Sequence, residues 1–386
     1  MTDRLYYHDS YLKEFRARVV DASPDRLRVY LDKTAFYPTS GGQPFDTGKL
    51  GNVLVADVED EDSRIAHLLS APLEDIDVTG AIDWQRRFDH MQQHTGQHLL
   101  SAVLVELFDA ATVSFHLGSE SSSIDISRTL EPAQIRSAER RANEIVFENR
   151  PVQVTFQHST ENLDLRKPTE REGEIRIVSI QDLDRSACGG THVRGTGEIG
   201  PILIRKLDRI RGNQRIEFVC GTRAVQRARA DYEALSAIAR TFSAQLDETP
   251  ALVTAQVEKL QESDKTRRRL SSELAQARGR ELYAATPPGS DGLRKILRRV
   301  ESISDDLRTE AQSFTAGEKS AFLVLASDPP SILLGSSKDS GVNAGQVLKA
   351  AVTESGGRGG GSPTMAQGSV PSKDFLEKFA TSLGFS

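Results

Sequence analysis

The chain has 386 residues, 38% hydrophobic and 27% charged, which fits a globular protein of about two to three domains and excludes a fibrous or wholly disordered one. Its 49 Lys and Arg stand against 55 Asp and Glu, a net charge of −6, so binding of nucleic acid has to come from local basic patches and not from bulk charge. Two cysteines, Cys188 and Cys220, cannot build a disulfide framework, the polar N-terminus has no signal-like apolar run, and no stretch approaches the ~20 apolar residues of a membrane span; a reduced, cytoplasmic setting is the expectation.

Residues 1–85 read as short strands. Residues 17–38 alternate around a turn at Pro24 and Asp25, residues 53–70 alternate around an acidic turn, and residues 77–84 form a third such run. Strands at this spacing predict a small all-β unit, a barrel or sandwich, interrupted by Gly41, Gly42 and Gly48. After Trp84 the period changes. Leu99, Val103 and Leu107 recur every four residues and predict a helix over 91–108. Strands at 112–118 and 122–127, a helix opened by Glu131 and Pro132 and running to about Asn149, and strands at 152–157, 175–180 and 200–210 complete an α+β domain over 86–222.

Residues 223–310 are predicted helical. Tyr232, Leu235, Ala239, Phe242 and Leu246 step by three and four, as do Leu293, Ile296, Val300, Ile303 and Leu307, with a break at Pro287-Pro288-Gly289. Two such seams suit helices packed on each other or on a second copy of the chain. Residues 311–386 predict strands at 321–327 and 331–337, a helix over Asn343–Ser355, a glycine-rich loop at 356–361 and a last helix from Ser372: a small α/β or α+β domain. The expected fold is therefore an α+β multidomain chain with an N-terminal β-barrel.

The candidate chemistry lies in two short motifs. His94 and His98 of HTGQH are four apart on a predicted helix and share one face. Cys188 and His192 of CGGTH are also four apart, across a Gly-Gly turn that lets both side chains converge. One thiolate and three imidazoles favour zinc, one ion per chain. A HExxH metalloprotease is excluded, because Thr95 stands where that motif needs Glu.

The segments HTGQHLLS, SFHLG, CGGTHVRGTGEIG and SGGQPFDTG together resemble the editing half of alanyl-tRNA synthetase, and most closely the long form of the free-standing alanyl-tRNA editing proteins. GGRGGGSPTMAQG (356–368) resembles the signature of the synthetase's C-terminal domain, so the resemblance extends over the whole chain. It implies an editing domain of the threonyl/alanyl-tRNA synthetase second-additional-domain type over 86–222, with His94, His98, Cys188 and His192 as metal ligands. It also places Thr39, Ser40, Gly41, Gly42 and Gln43 near the amino-acid pocket, and puts His116 where the synthetase often has Gln. Thr95 and His116 are the candidate catalytic residues beside the metal. About 85 residues precede the editing domain and read as β, which leaves no room for an adenylate-forming site, so deacylation and not charging is the expectation.

The substrate so implied is an aminoacyl ester on tRNA. Serine differs from alanine by a hydroxyl and glycine by a methyl, differences a synthetase pocket rejects poorly, so a second hydrolytic site that hydrogen-bonds the hydroxyl restores selectivity. Thr39, Ser40, Gln43, Thr95 and His116 are polar candidates for that contact. Arg205, Lys206, Arg209, Arg211 and Arg215, with Arg358 of the glycine-rich segment, are candidate phosphate contacts, and 266–269 and 294–299 add basic clusters. A homodimer through the helical segment and C-terminal domain, a threonyl-system deacylase, and a tRNA-binding protein whose zinc is only structural are the other readings the residues allow.

Overall fold

The structure, a computed structural model, describes residues 1–158, 163–170, 172–210 and 212–385. The chain divides into two compact units, Met1–Ile238 and Ala239–Ser386. Among the described residues, no helix is long and apolar enough to cross a membrane.

The first unit opens with β1 (Asp3–Arg4), β2 (Glu14–Ala22), β3 (Arg28–Leu31), β4 (Lys33–Thr34), β5 (Gly48–Leu50), β6 (Val53–Glu61), β7 (Arg64–Leu69) and β8 (Asp77–Ile82). A closed barrel forms in the order β2-β3-β7-β6-β5-β8, and β1 pairs parallel with β4. The alternation that predicts the strands fills the barrel: Phe15, Val29, Leu31, Leu50, Val55, Val58 and Ile65 turn inward around Phe36. Bulges between Val19 and Asp21 and between Val55 and Asp57 bend the long strands far enough to close it.

Next comes α1 (Trp84–Phe108), which starts seven residues before the apolar period does. Asp83 caps it by accepting the Arg86 N–H, and the helix is buried on nearly all sides from His90 to Leu104. Then follow β9 (Thr112–Leu117), β10 (Ser122–Ile126), α2 (Pro132–Glu148), β11 (Val152–His158), β12 (Glu174–Ile180), β13 (Asp184–Ala187), β14 (Ile202–Ile210), β15 (Asn213–Cys220) and α3 (Gly221–Phe242). A capping box between Glu131 and Gln134, with Pro132 at an early position, starts α2 where the sequence signals it. The strands make two antiparallel sheets, β14-β15-β10-β9 and β11-β12-β13. Leu99, Leu100, Val103 and Leu104 of α1 meet Ile135, Ala138, Ala142 and Ile145 of α2 and Ile124, Ile126, Ile216 and Phe218 of the larger sheet.

The barrel is tied to α1 by charge. Arg87 is wholly buried; its guanidinium forms a bidentate pair with Asp46 and also donates to the carbonyls of Ser10 and Ala35.

The second unit contains α4 (Thr249–Ala285), β16 (Arg294–Val300), α5 (Asp305–Thr315), β17 (Ser320–Ser327), β18 (Pro330–Ser336), α6 (Ala344–Glu354), β19 (Arg358–Gly361), β20 (Met365–Ser369) and α7 (Lys373–Ser382). One sheet runs β16-β17-β18-β20-β19. β17 alternates between two cores: Ala321, Leu323 and Leu325 face α6 and α7, while Phe322 and Val324 face α4 and α5. Two expectations are corrected here. Residues 294–300 form a strand parallel to β17, not a second helical seam. Residues 358–361 of the glycine-rich segment form an edge strand paired with β20, not a loop.

Candidate metal centre

Two elements bring four ligand atoms together. α1 presents His94 and His98 one turn apart, and the loop after β13 presents Cys188 and His192. Their ligand atoms all lie within 4.8 Å of one another. The Cys188 Sγ is 3.5 Å from His94 Nε2 and 3.3 Å from His192 Nε2. Gly190 is obligatory on this loop, because a Cβ there would come within 2.2 Å of the His94 ring. Arg176 of β12 fixes the loop's start, donating to the Cys188 carbonyl at 2.6 Å while Cys188 N–H donates back to the Arg176 carbonyl.

Each imidazole is held by its other nitrogen. His94 Nδ1 donates to Gln43 Oε1 (2.8 Å), His98 Nδ1 to Asp184 Oδ2 (3.0 Å) and His192 Nδ1 to Thr95 Oγ1 (3.1 Å). The tautomers follow from the partners. Gln43 Oε1 also accepts the Thr191 N–H, and the Thr95 hydroxyl spends its proton on the Met91 carbonyl, so each can only accept from the ring. Every Nε2 is thereby turned to the cluster, the arrangement metal-ligating histidines use. Electrostatics agree. Burial pushes the Cys188 thiol up, but His94 and His192 outweigh it and hold the thiol well below its ordinary value. Burial also pushes His98 down, but Asp184 and the Cys188 sulfur overcome it and raise the imidazole to about 9. His192 is pushed down to about 3, by burial first. A thiol that readily gives up its proton and three imidazoles that turn Nε2 to the cluster make a donor set that fits zinc.

His94, His98 and Cys188 line a cleft of about 500 Å³, and His192 is buried beside them. Ser40, Gly41 and Gly42 form one lip. Ser40 and Gln43 exchange backbone hydrogen bonds across Gly41 (φ +53°) and Gly42 (φ +81°), a tight turn that needs positive φ at both central residues. A Cβ on Gly42 would sit 2.7 Å from Phe115, whose ring lies 5.8 Å from that of His94. The turn's other product is Gln43, which is fully buried behind His94 and holds Thr191 as well.

The remaining expected residues fall in different places. Thr95 is buried behind His192, where it orients the ligand and cannot touch a substrate. His116 is exposed on β9 and lies outside the cleft; Phe115 takes the wall position instead. Thr39 is exposed, its hydroxyl accepting the Phe45 N–H, and it too lies outside the cleft. Gln43 supports His94 and does not face the substrate space. Arg205, Lys206, Arg209 and Arg215 share the β14–β15 hairpin, but Asp231 pairs with Arg205, Asp208 with Lys206 and Asp125 with Arg215; Arg209 stands exposed. Arg358 is exposed on the edge strand β19, and Arg211 lies outside the described residues. In the basic runs of the second unit Arg267 pairs with Asp264, Arg269 with Glu273, Arg298 with Glu310 and Arg299 with Glu377, while Arg268 stands exposed. The sequence reading missed Gln97, which lines the cleft between the two helix histidines. Its spacing of three from His94 is the signal, by the same helix-face argument that pairs His94 with His98.

A closed barrel joined to an α+β domain with two helix histidines facing a Cys-x-x-x-His loop defines the editing-domain class of synthetase-related proteins. The family described as threonyl and alanyl tRNA synthetase second additional domain matches residues 175–217, and the DHHA1 domain matches residues 297–383. The alanyl-tRNA editing protein AlaX-L of Pyrococcus horikoshii is 33% identical over 395 residues, covering 97% of this chain and 96% of that protein. The chain belongs to the alanyl-tRNA editing protein family. It is also 33% identical to the alanine–tRNA ligase of Pyrococcus abyssi over 387 residues and 34% identical to that of Methanoregula boonei over 396, but spans only 42% of each ligase.

Proposed function

We propose that the chain is a deacylase acting in trans on tRNA(Ala) mischarged with serine, with the glycyl ester as a second substrate, in the cytoplasm. The observation that supports it is the convergence of one sulfur and three tethered imidazoles, two of them lining an open cleft with the sulfur. The resident ion in this reading is zinc, held by His94, His98, Cys188 and His192; bound there it supplies Lewis acidity and a water of lowered pKa. The chain's own residues do the positioning. Gln43, Asp184 and Thr95 keep the three rings from turning, so the ligand set is preformed before substrate arrives. The Gly41-Gly42 turn and Phe115 shape the entry so that a small aminoacyl group on a terminal ribose can reach the ligands that line the cleft. Phosphates of the tRNA meet the exposed Arg209 and Arg358.

One observation favours a second reading, a tRNA-binding protein with a structural zinc: four protein ligands are what closed structural sites use. Incubation of the purified protein with Ser-tRNA(Ala), Gly-tRNA(Ala), Ala-tRNA(Ala) and Ser-tRNA(Thr), following ester loss, separates them. Preferential loss of the seryl ester from tRNA(Ala), abolished in a Cys188→Ala, His192→Ala double variant, is expected. Stability of every ester leaves the structural reading, and preference for Ser-tRNA(Thr) moves the protein to the threonyl system.

A further inference from the structure

Two buried side chains of the cleft wall have a polar end unbonded among the described residues, the Tyr6 hydroxyl and the Gln97 carboxamide, and of these Gln97 stands on α1 beside the ligand His98. Gln97 is 3% exposed and lines the cleft between His94 and His98. One end of its carboxamide is anchored by Ser101 Oγ at 2.9 Å, and Ser101 is itself held by the Thr112 hydroxyl at 2.7 Å. That chain of three fixes the amide plane. The other end has no hydrogen-bond partner among the described residues and opens on the cleft. Three other polar groups of the wall are already committed: Ser114 donates to Asp125, the Tyr37 hydroxyl to the Ser40 carbonyl, and Ser186 to Asp184.

We propose that Gln97 is the specificity-determining residue, its free carboxamide end pairing with the side-chain hydroxyl of a seryl ester held over the metal ligands. This rests on the deacylase reading and deepens it. The chemistry is indifferent to which end of the amide faces the cleft, because a hydroxyl both donates and accepts. An alanyl methyl does neither, and would cover a buried polar atom without satisfying it. Selection then comes from the penalty on the wrong substrate, which a fixed, desolvated partner imposes far better than a mobile, hydrated one. The preorganised Thr112–Ser101–Gln97 chain supplies that fixity. Of the expected polar candidates, Thr95 and Gln43 spend their side chains on metal ligands, Thr39 and His116 lie outside the cleft, and Ser40 sits exposed on its lip, where water competes for its hydroxyl.

The test uses the zinc-loaded full chain and two non-hydrolysable probes, 3′-amino-3′-deoxyadenosine carrying serine or alanine in amide linkage, with affinities from calorimetry. Wild type binds the seryl probe at least about tenfold tighter than the alanyl one. Gln97→Leu abolishes the preference. Gln97→Glu, which keeps the length and still offers an oxygen to the cleft, retains it. Metal content and thermal midpoint of both variants show whether the fold and centre survive. A preference that persists in a metal-replete Gln97→Leu protein overturns the proposal. So does an equal loss for both probes, which places Gln97 on a group the two share. Ester hydrolysis by wild type is measured alongside, so failure of the deacylase reading shows as absent turnover and failure of the Gln97 assignment as an unchanged probe ratio.

Discussion

Asp184→Asn isolates the support of the metal centre from its ligands. The Asp184 side chain is fully buried, and three donors converge on it: His98 Nδ1 at 3.0 Å, Arg166 Nε at 2.6 Å and the Ser186 hydroxyl at 3.0 and 3.1 Å. Asparagine keeps the shape but replaces one acceptor oxygen by an NH2, so one of those donors must face another donor. In a site closed to water that mismatch costs about 1–3 kcal/mol. If His98 turns to escape it, its Nε2 leaves the cluster; if Arg166 gives way, His98 still loses a charged acceptor. Zinc affinity should fall about tenfold to a hundredfold, about 1.4–2.8 kcal/mol. Competition against a chromophoric chelator measures it on the full chain. The His98 imidazole, which Asp184 helps raise to about 9 against burial, should titrate nearer 6.5 in the metal-free variant, read by NMR. Unchanged affinity together with an unchanged His98 titration would refute the claim that Asp184 holds this ligand.

The other predictions touch the glycines and the barrel. Gly190→Ala forces a methyl into the His94 ring and should empty the metal site, read as zinc per chain by atomic spectroscopy; full occupancy contradicts the packing. Gly42→Val combines a positive φ with contact against Phe115, so it should block deacylation while zinc content stays near wild type. His67 is buried in the barrel between the Thr34 hydroxyl and the Val29 carbonyl, and burial pushes it down to about 4. The unfolded imidazole, near 6.5, takes up a proton the folded one refuses. Stability is therefore complete above pH ~6.5 and should decline by about 3 kcal/mol as pH falls to 4. Denaturant melts across that range check it, and His67→Gln should make the decline about 3 kcal/mol shallower, leaving the part that buried His90 and His192 contribute.

Local chemistry that has one solution was readable from the chain. The Pro24-Asp25 turn, the Glu131-Pro132 helix start and the His and Cys pairs each require a particular backbone, and the structure has it. The failures have physical causes. Ile296 and Val300 are four apart, a spacing that places residues on one face of a helix and equally on one face of a strand, and β16 uses the second option. Ile303 and Leu307 extended that apparent seam by chance, across the Ser304 cap of a new helix. Residues 358–361 look like a flexible loop because glycine has no propensity to declare; a Cβ on Gly359 would lie 2.4 Å from the Gly368 Cα, so close approach to β20 demands glycine there. Roles at the site were harder still. Thr95 lies between ligands in sequence, yet its position on the helix turns it toward the back of His192, and only the fold distinguishes a group that touches substrate from one that holds a ligand.

The buried Arg87 has a consequence for how this architecture can vary. A guanidinium bonded to Asp46, Ser10 and Ala35 belongs to α1 by chain and to the barrel by every bond it makes. Loss of Asp46 alone would leave that cation buried without its counter-ion, at a cost of roughly 3–5 kcal/mol. The glycine turn that carries Gln43 to His94 lies just before Asp46, so the segment that holds Arg87 also carries a ligand's tether. Barrel and ligand-bearing helix are thus coupled at one pair: a change at Asp46 calls for a compensating change at Arg87.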